Sequence, residues 1–396
     1  MDIQAYKKEL DQYYDEKAAS ELWEMAQDIH AHPELGFKEY HACQLQVDWL
    51  KKEGFEVEEK AGGLDTAFVA KYGSGKPVVA ILSEYDALPE LGHACGHNII
   101  STSALGAGFI AKKFLEDSKH EGTILVMGTP AEEGGGGKII MLKNGCFEGV
   151  DAVITQHPTT EPTRLSGDCL SSYSLDIEFF GKAAHAGSHP DQGINALSAA
   201  QLYMNGISFW RQHFKRDWTC SSIICDSHLV SGIIPDHVTN KTAFRCFSLK
   251  DLRYAIDYLK NMAECCAKAL GCTVKIEEHE GYQGRISNKV LSDVCRKEYE
   301  DLGEPLMDGM PIDYGGEDLG NVSRVIPSCQ PFGTLFPDYK ISGHSPKFCE
   351  LSNSPAAKHC LDVSSKAMGR SCMEYILHPE IIAAAKEELA QRMKNE

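Results

Sequence analysis

The stretch PVVAILSEYDALPELGHACGHNIISTSALGAGFIAKKFLE (Pro77–Glu116) joins two apolar runs through a loop crowded with reactive side chains. Pro77 to Leu82 is rich in Val, Ala and Ile and reads as a buried strand. Ile99 to Glu116, a longer run of small and apolar residues, reads as a helix. Between them lie an acidic turn, Ser83-Glu84-Tyr85-Asp86, and the segment His93-Ala94-Cys95-Gly96-His97-Asn98. That segment puts a thiol, two imidazoles and a carboxamide into six residues. Neither flanking run needs so many ligand-type groups. They suit half of a metal site, and the rest of the chain must then supply the other half.

Outward from this unit the pattern repeats. Thr66 to Lys71, Thr123 to Gly128 and Asp151 to Gln156 read as strands, and Lys138 to Asn144 as a short helix ended by Gly145. Strands alternating with helices predict an α/β domain with a mostly parallel sheet. Ligands of such sheets gather beyond the carboxyl ends of the strands. Glu84 and Asp86 follow one strand, Glu132 and Glu133 the next, and His157 the third, so all arrive at one edge. Upstream, Glu21 to Glu53 reads as helix interrupted at His32-Pro33-Glu34-Leu35-Gly36, and Met1 to Ser20 as a surface helix.

From Ser171 the order changes to strand (Ser174–Phe180), helix (Asn195–Phe214), strands (Ser221–Val230 and His237–Phe247), helix (Leu252–Leu270) and strand (Cys272–Glu280). This is the βαββαβ, ferredoxin-like arrangement, at a size that fits an inserted domain. The α/β character resumes after Asn288, with a helix at Lys289–Leu302 and one long final helix from about Ser354. The expected organisation is residues 1–170 and 288–396 as two parts of one domain, with 171–287 inserted.

A chain of 396 residues is comfortable for two domains. The net charge of -18 repels phosphates and argues against nucleic acid or an anionic membrane as partner. No apolar run reaches membrane-spanning length and the first twenty residues lack an apolar signal core, so a cytoplasmic protein is expected. Fifteen cysteines, an odd number with no C-x-x-C pair, read as free thiols in a reducing compartment. Cys43, Cys225 and Cys272 sit in amphipathic runs and are expected as small core residues.

The chemistry gathers around a few groups. Cys95 and His97 offer thiolate and imidazole two residues apart, with Gly96 allowing a tight turn. His93 would crowd the same ion and reads as support. Glu132-Glu133 opens a glycine run ending in Lys138. Ile139 stands where a phosphate loop needs Ser or Thr, so two carboxylate roles fit better: Glu133 as ligand, Glu132 as general base. His157 and His344, each unremarkable alone, complete enough N, O and S ligands for two divalent ions.

Several motifs then occur in order at fitting spacing: His30-Ala31-His32-Pro33-Glu34-Leu35-Gly36, Tyr85-Asp86-Ala87-Leu88-Pro89, Gly92 to Asn98, Pro130 to Gly137, Gly181 to Ala186, Gly316-Glu317-Asp318 and Gly343-His344-Ser345. On these the chain resembles the amidohydrolase branch of metallopeptidase family 20, the aminoacylase and carboxypeptidase-G group, over nearly its whole length. Asn98 where most members carry Asp, Ser83 to Asp86, and Gly320 to Ser323 make it more similar to the aminobenzoyl-glutamate hydrolase type and the β-alanyl-lysine type of dipeptidase.

The resemblance implies two zinc or manganese ions per subunit, held by Cys95, His97, Glu133, His157 and His344, with Cys95 bridging. It implies Glu132 as general base, Asp86 orienting a ligand from behind, and His185 stabilising the oxyanion. It also implies an inserted domain that acts as lid and dimer interface, in a homodimer. Arg245 matches a substrate-carboxylate arginine. Asn195 reads as a substrate contact or a helix cap. Gly232 replaces the usual Asn, so carboxylate recognition is expected to differ. The implied reaction is hydrolysis of an N-acyl amino acid or small dipeptide. A catalytically silent binding protein and a Cys95 thiol enzyme are the competing expectations.

Overall fold

In the computed structural model, which describes residues 3–225, 229–335 and 341–394, the chain opens with helices α1 (Ile3–Lys17), α2 (Ala19–Ala31) and α3 (Tyr40–Lys52). Strands β1 (Glu56–Glu59), β2 (Phe68–Ser74) and β3 (Val78–Ser83) follow, then α4 (His97–Ser118), β4 (Gly122–Gly128), α5 (Gly137–Lys143) and β5 (Ala152–Ile154). Two short strands, β6 (His157–Thr159) and β7 (Arg164–Leu165), close this part. Next come β8 (Ser171–Phe180), β9 (Ala184–His185), α6 (Ala196–Trp210), β10 (Thr219–Ile224), β11 (Ile233–Ile234), β12 (His237–Cys246), α7 (Leu249–Ala269) and β13 (Thr273–Glu280). The last part holds α8 (Lys289–Asp301), α9 (Leu319–Ser323), β14 (Ser328–Cys329), β15 (Pro331–Thr334), α10 (Pro346–Leu351), α11 (Pro355–Leu377) and α12 (Pro379–Met393).

Two units emerge. The first holds the residues up to Asp168, Ile286–Asp313 and those from Glu317 onward; the second holds Cys169–Arg285 with Tyr314–Gly316. In the first, one sheet has the strand order β1-β2-β4-β3-β5-β14. The pairs from β4 through β3 and β5 to β14 are parallel, and β1 and β2 form an antiparallel edge. Parallel strands covered on both faces must be apolar throughout. Accordingly every residue of β4 is buried, as is β3 from Val79 to Ser83.

Helix α4 is buried continuously from His97 to Ala111, which is why its sequence carries no polar stripe. Small residues let α11 approach it closely. A Cβ on Gly106 would stand 2.4 Å from Ser365 Oγ, and one on Gly369 would stand 2.7 Å from Ile110 Cβ. The second unit is the ferredoxin-like arrangement: an antiparallel sheet ordered β10-β12-β8-β13 with α6 and α7. Its core joins Leu175, Ile177 and Phe179 of β8 to Tyr203 and Ile207 of α6 and Leu259 of α7.

Four expectations change. The single final helix is two, because His378 leaves α11 and Pro379 starts α12: proline lacks the N–H and clashes with the preceding turn. The first helix is more than a surface element. Its i, i+4 stripe buries Tyr6, Leu10 and Tyr14, and buried Lys7 pairs with Glu298 at 2.6 Å and Glu374 at 2.7 Å. Cys225 is exposed, unlike buried Cys43 and Cys272, because it continues the outward-facing alternation of edge strand β10, where Thr219, Ser221 and Ile223 are exposed as well. The strand expected over Ser221–Val230 stops at Ile224, and residues 226–228 of that expectation lie outside the described residues. Among the described residues no helix is long and apolar enough to cross a membrane.

The α4–α11 approach yields a first prediction. Gly369→Ala should lower the urea midpoint at unchanged slope, a loss of about 1–3 kcal/mol from overpacking.

Candidate metal centre

Three strand ends of the parallel sheet build the centre. Beyond β3, Asp86 is buried and accepts the Nδ1–H of His97 at 3.0 Å. His97 is the first residue of α4, which Gly96 opens with φ +77, a left-handed conformation that suits glycine. A Cβ there would lie 2.8 Å from Pro158 Cγ. This turn sets Cys95 Sγ 3.4 Å from His157 Nε2, just past β5. His157 donates its Nδ1–H to the Pro158 carbonyl at 2.7 Å, which leaves the Nε2 lone pair facing the thiol. Beyond β4, Ala131 adopts φ +57 and its N–H is held at 2.8 Å by the buried carboxylate of Glu39. Glu133 N–H then donates to the second oxygen of Asp86 at 2.9 Å.

Ligand atoms converge on this point. Cys95, His97 and His157 form one group with one ligand atom each, all within 4.8 Å of one another, and Cys95, Glu133 and His344 form a second. Cys95 belongs to both. Glu132 joins His97 and Glu133 in a third. His344 lies on a half-exposed loop, is anchored through its N–H to Ala94 O at 3.0 Å, and places Nε2 3.4 Å from Glu133 Oε1. His93 is buried close by but belongs to none of these groups.

The residues fit a divalent cation. His97 Nε2 and Glu133 Oε1 are buried without a hydrogen-bond partner, 3.9 Å apart. Such groups are costly unless something satisfies them. Imidazole, thiol and carboxylate together suit a borderline divalent ion.

Burial alone would raise Asp86, but the charge and hydrogen bond of His97 and the Glu133 N–H outweigh it and hold the carboxyl at about 2. Burial, then the charge of His97, brings His157 down to about 4, a neutral imidazole ready to ligate. Burial pushes the Cys95 thiol up to about 12, so it holds its proton until a cation displaces it. Burial, then the charges of Glu84 and Asp318, raise Glu132 well above the usual carboxylate range, with Lys138 and His97 offsetting part of this.

Sequence reasoning missed the ion network behind Glu132. Lys138 is fully buried, binds Glu84 at 2.8 Å and pairs with Asp318 through both its Nζ and its backbone N–H. The signal was present in a lysine closing the glycine run and an acid in Gly316-Glu317-Asp318, but nothing in their spacing joined them. The carboxamide of Asn98 also has a structural role. Its Nδ2 donates to Ala26 O at 3.2 Å and Ser352 O at 2.9 Å, two acceptors an aspartate could not satisfy.

The inserted unit carries the remaining expected residues. His185 lies on β9, exposed, and its Nδ1 accepts the N–H groups of Gly187 at 3.2 Å and Ser188 at 3.1 Å. The ring proton of the neutral form therefore sits on Nε2. Asn195 caps α6, its side-chain oxygen accepting from Ser198 N–H at 3.1 Å. Arg245 is exposed on β12, and its Nη1 lies 3.7 Å from where a Cβ on Gly316 would be. Gly232 has open space around its Cα, with nothing within 4 Å of a built Cβ.

Side chains able to ligate a metal, gathered at the carboxyl edge of a mostly parallel sheet with an extra carboxylate among them, have the chemistry that metal-assisted hydrolysis requires. Comparison with known proteins agrees. Residues 80–362 match the model of peptidase family M20/M25/M40, and the chain belongs to that family. It is 31% identical to Xaa-Arg dipeptidase of Mus musculus over 402 residues, covering 96% of this chain and 91% of the relative. It is 31% identical over 303 residues to one subunit of the p-aminobenzoyl-glutamate hydrolase of Escherichia coli K12, covering 71% of this chain and 62% of the relative. Among solved structures, the Bacillus subtilis YXEP protein, a dinuclear metal binding peptidase from the M20 family, superposes with TM-score 0.74 at 20% identity. That match spans 90% of this chain and 98% of the other.

Asn98→Asp should place a buried charge against two carbonyl oxygens. The expected loss is about 3–5 kcal/mol at neutral pH, read by chemical denaturation of metal-free protein, and it should shrink as acid protonates the new carboxyl.

Proposed function

We propose that the chain is a two-metal amidohydrolase acting on N-acyl amino acids or small dipeptides, with Cys95, His97, Glu133, His157 and His344 holding two divalent ions, zinc or manganese. The observation that carries this reading is the sharing of Cys95 between two three-ligand groups, with Glu132 beside them. Two ions bound there would acidify a water molecule and polarise the amide carbonyl. Glu132 takes the proton of the attacking water and returns it to the departing nitrogen, a task suited to a buried carboxylate beside the ligand groups. Asp86 fixes the tautomer and direction of His97.

His185 presents an Nε2–H as donor to the oxyanion, a role its twin backbone contacts at Nδ1 support. Arg245 is the candidate partner of the substrate carboxylate, and Asn195 holds the start of α6, with its side-chain nitrogen left for substrate. Residues 171–287 act as lid and dimerisation domain between the catalytic parts 1–170 and 288–396. In the homodimer, exposed Phe209 and Ile223 would supply apolar contact. The names of the relatives, an Xaa-Arg dipeptidase and an aminobenzoyl-glutamate hydrolase, make dipeptides ending in arginine and aminobenzoyl-glutamate the first substrates to try; the sequence resemblance adds β-alanyl dipeptides and aromatic N-acyl amino acids to the panel.

Turnover of that panel is expected to vanish on exhaustive chelation and to return with manganese or zinc. Activity that survives chelation but not alkylation would instead point to Cys95 as a nucleophile. Failure of the metal-loaded protein to hydrolyse any amide would leave the silent binding protein. Glu132→Gln should cut kcat about 10²–10⁴-fold while metal content holds. His185→Ala is expected to lower kcat about 10²–10³-fold with little change in KM; a change in KM alone would assign His185 to binding.

A further inference from the structure

A second cluster of ligating side chains shares no residue with the centre described above. Asp28 and His32 stand one helical turn apart at the end of α2, the i, i+4 spacing that puts two side chains on one face. The turn that follows brings in His41 from the start of α3. Asp28 Oδ1 lies 2.8 Å from His32 Nδ1, and Asp28 Oδ2 lies 3.1 Å from His41 Nε2. The imidazoles meet edge to face, with ring centres 4.9 Å apart. One ligand atom from each residue lies within 4.8 Å of the others.

The backbone holds this cluster in place. His32 N–H closes on the Asp28 and Ile29 carbonyls, so the end of α2 is defined. Glu34 takes the N–H groups of His41 and Ala42 at 3.0 Å each, one on either carboxylate oxygen, and so fixes the start of α3. The three side chains are 36–60% exposed, which leaves room for water ligands. A tetrahedral ion with bonds of about 2.0–2.1 Å needs ligand atoms roughly 3.3 Å apart, a separation inside the 4.8 Å that bounds the three ligand atoms here.

We propose that Asp28, His32 and His41 form an auxiliary surface site for one divalent transition-metal ion of the zinc class. Two imidazoles and a carboxylate select such ions over magnesium or calcium, which prefer oxygen ligands throughout. Without metal, His41 Nε2 is hydrogen-bonded to Asp28 Oδ2 at 3.1 Å and His32 Nδ1 to the Asp28 backbone carbonyl at 2.9 Å, contacts that an ion would replace. The ion would tie α2 to α3 across the turn that carries Glu39, whose carboxylate holds Ala131 N–H.

The site is independent of the hydrolase reading, and activity is not the sole readout of its test. The full chain is dialysed to equilibrium against micromolar zinc beside the His32→Gln/His41→Gln variant. The parent is also crystallised from the same zinc concentration for anomalous diffraction at the zinc edge. The expected result is one zinc fewer per chain in the variant, and a zinc peak between Asp28, His32 and His41 in the parent, with amide turnover of the variant equal to that of the parent. Equal stoichiometry in the two proteins, or a peak that appears only at millimolar zinc, overturns the proposal. If the variant does not fold, presence or absence of the peak in the parent crystal decides.

Discussion

The carboxylate of Asp86 takes the Nδ1–H of His97 with one oxygen and the N–H of Glu133 with the other. These contacts join the start of α4 to the loop after β4, two segments far apart in sequence. The first fixes which nitrogen of His97 is available and where it points; the second fixes the backbone from which the Glu132 and Glu133 side chains spring. A buried carboxylate persists as an anion only with such partners, and here they outweigh the cost of burial. The remaining geometry of the centre leans on this clamp.

Behind the clamp lies an imbalance of charge. Glu84, Asp86, Glu132 and Asp318 are buried together, and Lys138 is the cation set among them. Burial works against the Lys138 ammonium, yet the charges of Asp318, Glu84 and Glu132 hold its proton more firmly than usual. The surplus of carboxylates, with an unpartnered His97 nitrogen facing them, is the electrostatic condition that divalent cations relieve. Glu39 adds a mechanical part by bracing Ala131 in a left-handed conformation one residue before Glu132. Such strain in a non-glycine residue persists only where neighbours enforce it.

Much of this was legible in the chain. Continuous apolar runs announced the parallel strands, since a strand covered on both faces leaves no place for polar residues. Clustered Cys95 and His97, paired Glu132 and Glu133, and His157 after a strand announced which side chains would meet at one sheet edge, since strand ends are where such residues can gather. His344 could be tied to them only through the motifs around it. The break at His378-Pro379 was written in the proline and overlooked in the length of the helical pattern on either side. The buried stripe of α1 was hidden by its charged residues, because Lys7 is neutralised by Glu298 and Glu374 from distant helices.

The information readable along the chain is therefore local: where strands and helices run, which residues end them, and which ligand types sit at those ends. Periodicity and turn chemistry act over a few residues, so they leave their mark in the order of residues. Packing in three dimensions was needed to bring Lys138 to Glu84 and Asp318, to set Asn98 against the carbonyls of Ala26 and Ser352, and to stand Cys95 in two ligand groups at once. Each depends on contacts between residues far apart in the chain. Pairings of that kind carry no periodic signature and are selected by shape, burial and charge once the sheet and helices have packed.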